Sequence, residues 1–543
     1  MGLRNAAPIK FAPVTVCDAL DSTDVPSGAM SSLSNLIPEN TTRNLFEARP
    51  ASVEETVFAG FDTPGFISCL KVIGTKAYGL ISTARNAGHD EPFAYDLVAN
   101  TFTTVTGTID ATTTPTSPSD VGVWVPPTMD LVGVNLMVTH PGFSGAGGVY
   151  LGWFDLTDPA APVWHGGNIS GGVVFSTPPT AVKNFNGRAY YILNPPTGQP
   201  GIVFSDVLDA LVVTSGTQIL TFDDNVPLTA LGGLPLANQL GGIIQSLIVF
   251  KGIANVYQVT GDSATSNLAK NSLNIVTGTL APLTVCPTPM GLAFVSPDGL
   301  RIIDFNAVIS PPVGFAGTGI CAPFTFSVVP SRMVATCGGN VLRISTQNGH
   351  ALGTPFQEYW YDIARQIWTG PHTFPASMIQ PYNNSFVVAP VGVTGKLFMS
   401  DVVQSSSSVF TENGNLLSYT WATALLPDTD QMCENAMIET TIYMALDAGG
   451  GDVVVRATDQ DGTIIDTVTI ALAGASTIWG GFQWGQALWG GARSALYPRR
   501  VNWSIPIVFR RLSLSAAGTC TTEFKIGRTH MRYEQLGYLQ QAS

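Results

Sequence analysis

Apolar residues occur along the chain in short runs, separated by clusters of Gly, Asn, Pro and Ser. One of the longest runs spans 242–250, which is the length of a strand, and no run reaches the roughly 18 apolar residues of a membrane helix. Residues 452–457 and 463–472 flank the turn sequence 458–462, which is the pattern of a hairpin. The pattern predicts an all-β protein.

One hairpin pattern recurs between residues 60 and 415. An aromatic residue precedes an Asp, and a second aromatic residue follows six to nine residues after that Asp. The copies are Tyr95-Asp96 with Phe102, Phe154-Asp155 with Trp164, and Tyr361-Asp362 with Trp368. We expect the Asp to cap the turn and the aromatic pair to pack across the strands. Strand-rich units of about 40–50 residues are typical of a β-propeller, and the available length suits about six blades.

The composition divides the chain into three parts. Residues 1–55 mix turn formers with isolated apolar residues, which predicts an N-terminal arm that docks on another surface. Residues 56–420 carry the propeller pattern. Residues 421–543 predict a C-terminal β-sandwich or platform domain. Within this last part, nine acidic residues and one arginine lie between 428 and 466, whereas eight basic and two acidic residues lie between 493 and the end.

Charge and composition disfavour several classes of protein. Charged residues are 12% of the chain, about half the usual ~25%, while Gly and Pro number 56 and 37. Few charges disfavour long solvent-exposed helices. A net charge of −13 disfavours a protein that grips duplex DNA through its phosphates. The mean hydropathy of +0.24 is high for a soluble monomer and suggests surface buried between subunits.

The cysteines and the N-terminal sequence favour a protein that folds in a reducing cytoplasm. Seven cysteines occur without a C-x-x-C spacing, which predicts free thiols in a reducing compartment. The sequence after Met1 has no apolar core of a secretory signal.

Motifs for catalysis and metal binding are missing from the sequence. The six histidines never have the spacing of a helical zinc pair, and there is no nucleophile elbow or P-loop. His89-Asp90 is expected in a surface loop. We therefore predict no enzyme activity, no cofactor and no metal site.

A Trp-Gly repeat is the most unusual local feature. Trp479, Trp484 and Trp489 each precede a glycine, at intervals of five residues. Three interpretations remain open: tryptophans packed under a loop, a subunit contact, or an aromatic ledge for stacking a sugar.

Several segments in order along the chain carry a family resemblance. They are the proline-bearing arm segments 35–39 and 49–50, the turn 61–65, the propeller-like hairpins, the Trp-Gly repeat, and the terminal segments 498–512, 524–527 and 533–538. Together they resemble the tail-nozzle (tail-tube) proteins of short-tailed bacteriophages, which are β-propeller proteins below the portal and adaptor rings. The chain departs from that family in its blades, which do not align repeat to repeat.

The resemblance implies a structural virion protein that is assembled in the host cytoplasm and located in the tail. It would form a hexameric ring that extends the portal channel, retains packaged DNA and conducts it during ejection, without sequence-specific binding. The implied partners are a head-to-tail adaptor protein, tail fibre or spike proteins, and the host outer surface at the distal tip. The candidate residues for subunit or adaptor contacts are Trp479, Trp484, Trp489, Arg499, Arg500, Arg510 and Arg511.

Two other functions compete with this one. The chain could be a tail-associated propeller that binds a receptor or a carbohydrate, with the three tryptophans as a stacking platform. A propeller glycosidase is less favoured, because no carboxylate pair stands out in the sequence.

Overall fold

The computed structural model describes residues 9–11, 15–17, 29–39, 45–59, 61, 64–83, 88–117, 126–235, 244–262, 267–274, 276–314, 319, 324, 329–347, 356–403, 409–426, 433–445, 451–471, 496–520 and 524–538. Strands dominate this part, as the hydrophobic pattern predicts. Short 3-10 helices lie at Ala146–Gly148, Pro282–Thr284 and Pro330–Arg332.

Seven mostly antiparallel sheets, numbered here from 1 to 7, follow one another between residues 67 and 401. Sheet 1 contains Ile67–Ile73, Lys76–Ser82, Asp90–Asp96 and Thr101–Thr103. Sheet 2 contains Thr128–Val132, Asn135–Thr139, Leu151–Asp155, Val163–Gly167 and the short strand Thr106–Gly107. Sheet 3 contains Ala181–Phe185, Arg188–Leu193, Gly201–Phe204 and Ile219–Thr221, beside a separate short pair of Ser170–Gly171 with Val212–Val213.

The remaining four sheets have the same pattern. Sheet 4 contains Leu228–Pro235, Ile244–Lys251, Asn255–Asp262 and Asn267–Asn274, and sheet 5 contains Cys286–Thr288, Gly291–Ser296 and Gly299–Ile303. Sheet 6 contains Val334–Gly338, Val341–Gln347, Phe356–Asp362 and Ile367–His372. Sheet 7 contains Ala376–Tyr382, Ser385–Pro390, Lys396–Asp401 and, from the N-terminal part of the chain, Val53–Val57.

The seven sheets close into a ring. The first strand of each sheet packs against the first strand of the next, and the first strand of sheet 7 packs against that of sheet 1. A ring of radial sheets around a central axis is a β-propeller. The described residues form seven such sheets, whereas about six were expected from the sequence. Sheet 5 has three described strands, and sheet 7 takes the strand Val53–Val57, which spans the expected end of the arm at residue 55.

The predicted hairpins are confirmed at all three positions. The aromatic pairs face each other across the last two long strands of sheets 1, 2 and 6, with ring centroids 5.0, 5.1 and 4.7 Å apart. Each Asp caps its turn: for example, Asp96 accepts the backbone N–H groups of Val98 and Ala99 at 3.0 and 2.9 Å. The Asx turn and the cross-strand pair therefore fix the hairpin register locally.

N-terminal and C-terminal strands together form a body of two facing sheets. The front sheet contains Met30–Ser34, Asn415–Thr423 with its hairpin partner Thr411–Glu412, Leu512–Cys520, Asp452–Asp459 and Ile464–Ala471. The back sheet contains Ile9–Phe11, Leu36–Pro38, Phe46–Ala48, Lys525–Tyr538, Cys433–Ala445, Leu496–Val501 and Val508–Phe509. The two sheets share buried apolar residues, among them Leu33, Trp421, Ile442, Leu514 and Met531.

Sheet pairing connects the propeller directly to the two-sheet body. The front sheet continues into sheet 6 where Leu33 pairs with Gly370, so that both belong to one ten-stranded sheet. The expected boundaries at 55 and 420 each fall inside a strand, Val53–Val57 and Asn415–Thr423. Within the segment expected as a docking arm, Met30–Ser34 is a strand of the front sheet, and Leu36–Pro38 and Phe46–Ala48 are strands of the back sheet.

Asn35 lies at the point where the chain crosses from the front sheet to the back sheet. It is fully buried and has a φ of +55°, a left-handed conformation that Asn tolerates better than most residues. Its Oδ1 accepts hydrogen bonds from Arg49 Nε at 2.9 Å and from the Thr373 backbone N–H at 3.1 Å. Its Nδ2 donates to the Ser418 carbonyl. One side chain thus connects both sheets of the body to the end of sheet 6.

Arg49 completes this connection through a buried ion pair. Its guanidinium donates to the two oxygens of Glu412 at 2.9 and 2.7 Å and to the Thr373 carbonyl at 3.0 Å. Glu412 also accepts the backbone N–H of Ser52, just before the closing strand of sheet 7. Bidentate geometry and these extra hydrogen bonds offset the cost of burying both charges. We call Asn35, Arg49, Glu412 and His372 the junction cluster.

His372 is held neutral in the junction cluster. Burial lowers its pKa well below the ordinary value, and the charges of Arg49 and Arg343 lower it further. Its Nδ1 accepts the Asn35 backbone N–H at 2.9 Å, and its Nε2 lies 3.1 Å from Thr369 Oγ1. The imidazole can make both contacts only as the neutral tautomer with its proton on Nε2.

Removing the charge of Glu412 should destabilise the protein far more than removing the charge of an exposed partner. The Glu412→Gln variant leaves Arg49 buried without its counter-ion, which costs about 3–5 kcal/mol. The matched control is Glu54→Gln, which breaks the exposed Glu54–Lys396 pair in sheet 7 and costs at most about 1 kcal/mol. Calorimetric melting should show a clearly larger fall for Glu412→Gln. Equal falls would contradict the role assigned to the junction cluster.

His372 should make the protein less stable as the pH falls. Its folded pKa lies below its unfolded value of about 6.5, so the unfolded chain takes up the proton first. Stability is therefore complete above pH 7 and is lost below about pH 6.5, by at most about 1.4 kcal/mol per pH unit. The melting temperature of the His372→Gln variant should fall less steeply between about pH 7.5 and 5.5 than that of the wild type. Parallel curves would show that His372 is not the titrating group.

Candidate functional site

A central cavity lies on the axis of the propeller. Its volume is about 680 Å³, and its wall is formed by the first strands of all seven sheets or by residues next to them. This volume is within the range of about 300–1,000 Å³ that is usual for small-molecule sites. The charged side chains in the described wall are Lys71, Asp130 and Lys183. The site therefore has a small excess of positive charge in a chain whose net charge is −13.

The three charged residues form a bridge across sheets 1, 2 and 3. Asp130 Oδ1 lies 3.3 Å from Lys71 Nζ, and Asp130 Oδ2 lies 3.0 Å from Lys183 Nζ. The backbone N–H of Asn184 donates to Asp130 Oδ2 at 2.8 Å. Burial opposes ionisation of Asp130, but Lys183, Lys71 and this hydrogen bond outweigh it and hold its pKa well below the usual range. Asp130 is thus a permanent carboxylate.

The sequence reasoning did not identify this bridge. The sequence feature that could have pointed to it is one charged residue within each of three mostly apolar strands, ISCLKVI, TMDLV and AVKNF. A lone charge at such a position needs a partner from another strand. The identity of that partner depends on which sheets become neighbours, and this is not visible in the sequence.

Three free cysteines also line the cavity: Cys69, Cys286 and Cys337. Burial raises the pKa of Cys69 and Cys286 well above the ordinary value, with a further rise at Cys286 from the neighbouring Cys337. Burial also raises the pKa of Cys337, to about 12. None of these three cavity cysteines forms a disulfide, and thiols with a raised pKa are poor nucleophiles.

Asp90 lies in a buried polar group, and not in the surface loop expected for His89-Asp90. Ser68 and Ser117 donate to its two oxygens, and His140 Nε2 lies 3.2 Å from Oδ2. His140 Nδ1 accepts the Gly142 backbone N–H at 2.9 Å, so Asp90 and Gly142 engage both ring nitrogens. The histidine cannot act as a base toward either serine, and this group is structural.

Three exposed arginines lie together on the outer surface of the back sheet. Thr441 is in register with both Arg500 and His530, while Arg528 and Arg532 flank His530 on the same strand. The Arg528 guanidinium lies 4.7 Å from the centre of the Tyr443 ring. Glu439 is in register with Arg532 and lies 3.9 Å from Arg500, which is 66% exposed. We call Arg500, Arg528 and Arg532 the arginine face.

The structure separates the arginines that were grouped from the sequence. Arg499 and Arg500 are neighbours on one strand, so their side chains point to opposite surfaces of the back sheet, and Arg499 is in register with buried Ile442. Arg510 and Arg511 lie in the bend before Leu512–Cys520, where the Arg510 carbonyl accepts from Asn435 Nδ2 at 3.2 Å. Of these four, only Arg500 belongs to the arginine face. Arg528 and Arg532 could have been grouped from the sequence, because each is two residues from His530 and alternate residues of a strand face the same side.

Trp479, Trp484 and Trp489 lie outside the described residues. Within the described part of the chain, no group of three His, Cys, Asp or Glu side chains is placed to hold a metal ion. No helix in that part is long and apolar enough to span a membrane.

The cavity cysteines should react slowly with alkylating reagents in the folded protein. At pH 8 a thiol with a pKa of about 12 is ionised roughly a thousandfold less than an ordinary cysteine. Iodoacetamide labelling followed by peptide mass spectrometry should therefore modify native Cys337 far more slowly than Cys337 in the urea-unfolded chain. Comparable rates would contradict the burial assigned to this thiol.

The chain resembles several solved protein structures. No protein-family model matches the chain, and no curated protein matches it. Similar structures include BBS1N (8% identity over 66% of this chain and 100% of that chain, TM-score 0.37) and Saccharomyces cerevisiae Sqt1 (8%, 73% and 100%, TM-score 0.36). The β-propeller domain of the Trilobed protease from Pyrococcus furiosus is another (9%, 62% and 96%, TM-score 0.33). Likeness of this extent carries no information about function.

Proposed function

We propose that this chain is a structural virion protein, a tail nozzle that forms a hexameric ring, extends the portal channel, retains packaged DNA and conducts it during ejection. It has no catalytic role in this proposal. The observation that carries the proposal is the arginine face: an exposed cationic surface on one side of a rigid two-sheet body, in a chain with a net charge of −13. Such a surface suits a contact with an acidic neighbour.

A ring requires two different contact surfaces on each subunit, one for each neighbour. The arginine face supplies the cationic surface. Asp452 and Asp461 are exposed at the two ends of the strand Asp452–Asp459 and its hairpin turn in the front sheet, where half-buried Asp459 also lies. They supply acidic groups on the other side of the same body. In this proposal the arginine face contacts either the acidic side of the next subunit or the head-to-tail adaptor.

The DNA conduit in this proposal lies between subunits and not within one propeller. A turn of B-DNA is about 34 Å long and its major groove alone is about 12 Å wide, so the 680 Å³ cavity cannot hold a duplex. Six copies of an acidic chain would surround the DNA with like charge. Phosphate contacts would then be few, and the DNA would slide without sequence-specific binding. Tail fibres or spikes and the host outer surface would meet the distal end.

Electron microscopy and native mass spectrometry test the ring directly. The purified full-length chain, alone and after mixing with the adaptor, should give a sixfold ring with propeller lobes. Antibodies against the chain should label the tail of virions from a bacteriophage that expresses it. Labelled heads, or virions without label, would contradict the nozzle function. Label on the tail without ring formation would favour the tail-associated carbohydrate-binding alternative, which glycan arrays would then test.

Charge reversal tests the surface that carries the proposal. The double variant Arg528→Glu and Arg532→Glu juxtaposes like charges at the contact, and we expect at least a hundredfold weaker assembly. The matched control is Lys270→Glu, a charge reversal on the strand Asn267–Asn274 of sheet 4 in the propeller, outside the two-sheet body. Both variants should melt near the wild-type temperature. Assembly that the double variant leaves unchanged would remove the arginine face from the contact.

A further inference from the structure

The two lysines of the central cavity have N–H groups that the contacts with Asp130 do not use. Each ammonium carries three N–H groups, and the hydrogen bond of Lys71 and the ion pair of Lys183 both go to the Asp130 carboxylate. Their side chains are 28% and 27% exposed, although they lie in the cavity wall. The remaining N–H groups can therefore meet water or a ligand in the cavity.

The two ammonium groups are held close together. Both contact the same carboxylate, at 3.3 and 3.0 Å, and this limits their separation to what one carboxylate can bridge. Asp130 itself is held by Asn184, whose backbone N–H donates to the Asp130 carboxylate. The side-chain Nδ2 of Asn184 also donates to the Leu131 carbonyl at 2.7 Å. The pair is thus positioned before any ligand arrives, which reduces the entropy that binding would cost.

The charges of the bridge do not cancel. Two lysines and one aspartate leave one positive charge, and the other described residues of the wall are neutral. The wall also carries neutral polar side chains, among them Asn186, Thr336 and Gln380. A partly enclosed cationic pair attracts a small anion more strongly than an exposed lysine does, because screening by water is weaker there.

We propose that the central cavity is a binding site for a small oxyanion, a phosphate or a carboxylate, held by Lys71 and Lys183. The anion neutralises the excess charge and takes the N–H groups that Asp130 leaves free. This site is independent of the role in the tail: it belongs to one propeller and requires no assembly.

Calorimetric titration of the full-length chain with inorganic phosphate, and separately with acetate, tests the site. We expect saturable binding of one anion per chain with a millimolar or lower Kd. Comparing the two anions also shows which ligand class the site prefers. A site for tetrahedral oxyanions binds phosphate more tightly, and a site for planar carboxylates binds acetate more tightly. No saturable binding of either anion up to about 10 mM would overturn the proposal.

Variants assign the binding to the cavity. Lys183→Met and Lys71→Met should each weaken binding at least tenfold, whereas Lys183→Arg retains the charge and should stay within about threefold of the wild type. Lys396→Met, which removes an exposed lysine of sheet 7, is the matched control and should bind as the wild type does. Unchanged affinity in either cavity Met variant that melts as a folded protein would overturn the proposal.

Asp130→Asn separates an anion site from a purely structural bridge. It removes the carboxylate that competes for the lysines and leaves two positive charges in place of one. This electrostatic gain outweighs the loss of the positioning that the carboxylate provides, so the affinity for phosphate should rise several-fold. A bridge with only a structural role predicts no increase. A fall in affinity, in a variant whose melting is still cooperative, would also contradict the proposal.

Discussion

The buried pairing of Arg49 with Glu412 is the interaction on which the rest of the structure depends. It connects four parts of the chain that are distant in sequence: the crossover at Asn35, the residue before the closing strand, the end of sheet 6 and the hairpin that starts the front sheet. These parts belong to the two-sheet body and to sheets 6 and 7 of the propeller. The ion pair adds charge-assisted hydrogen bonds to the sheet pairing at Leu33 and to the apolar core that sheets 5 and 6 share with the body.

A second ionic unit extends this connection toward sheet 7. Arg343 donates to Glu358 at 2.9 and 2.7 Å, Trp360 Nε1 donates to the same carboxylate, and its other oxygen accepts the Ala376 backbone N–H at 2.8 Å. Buried charges of this kind are costly unless every partner is present. They therefore add less to stability than to specificity, because an alternative packing of the sheets would leave several charges unpaired.

Local features could be predicted from the sequence, and contacts between distant segments could not. The Asp and aromatic pairs of sheets 1, 2 and 6 define hairpins because the capping group and both rings lie within about ten residues. The strand Val53–Val57 looks like its neighbours in the arm, and only its partner Lys396–Asp401, over 300 residues away, gives it its place. For the same reason the bridge of Lys71, Asp130 and Lys183 was missed. On the back sheet, strand alternation alone separates Arg499 from Arg500.

The closing strand has a consequence for how the chain is made. Val53–Val57 leaves the ribosome long before its partner Lys396–Asp401, and Leu36–Pro38 and Phe46–Ala48 belong to a sheet whose central strands end at residues 445 and 538. Val53–Val57 and Phe46–Ala48 therefore have strand partners that lie hundreds of residues further along the chain. Throughout translation they present open strand edges, which are prone to aggregation. Folding to this topology is expected to be slow, because pairing segments so distant in the chain requires the closure of long loops.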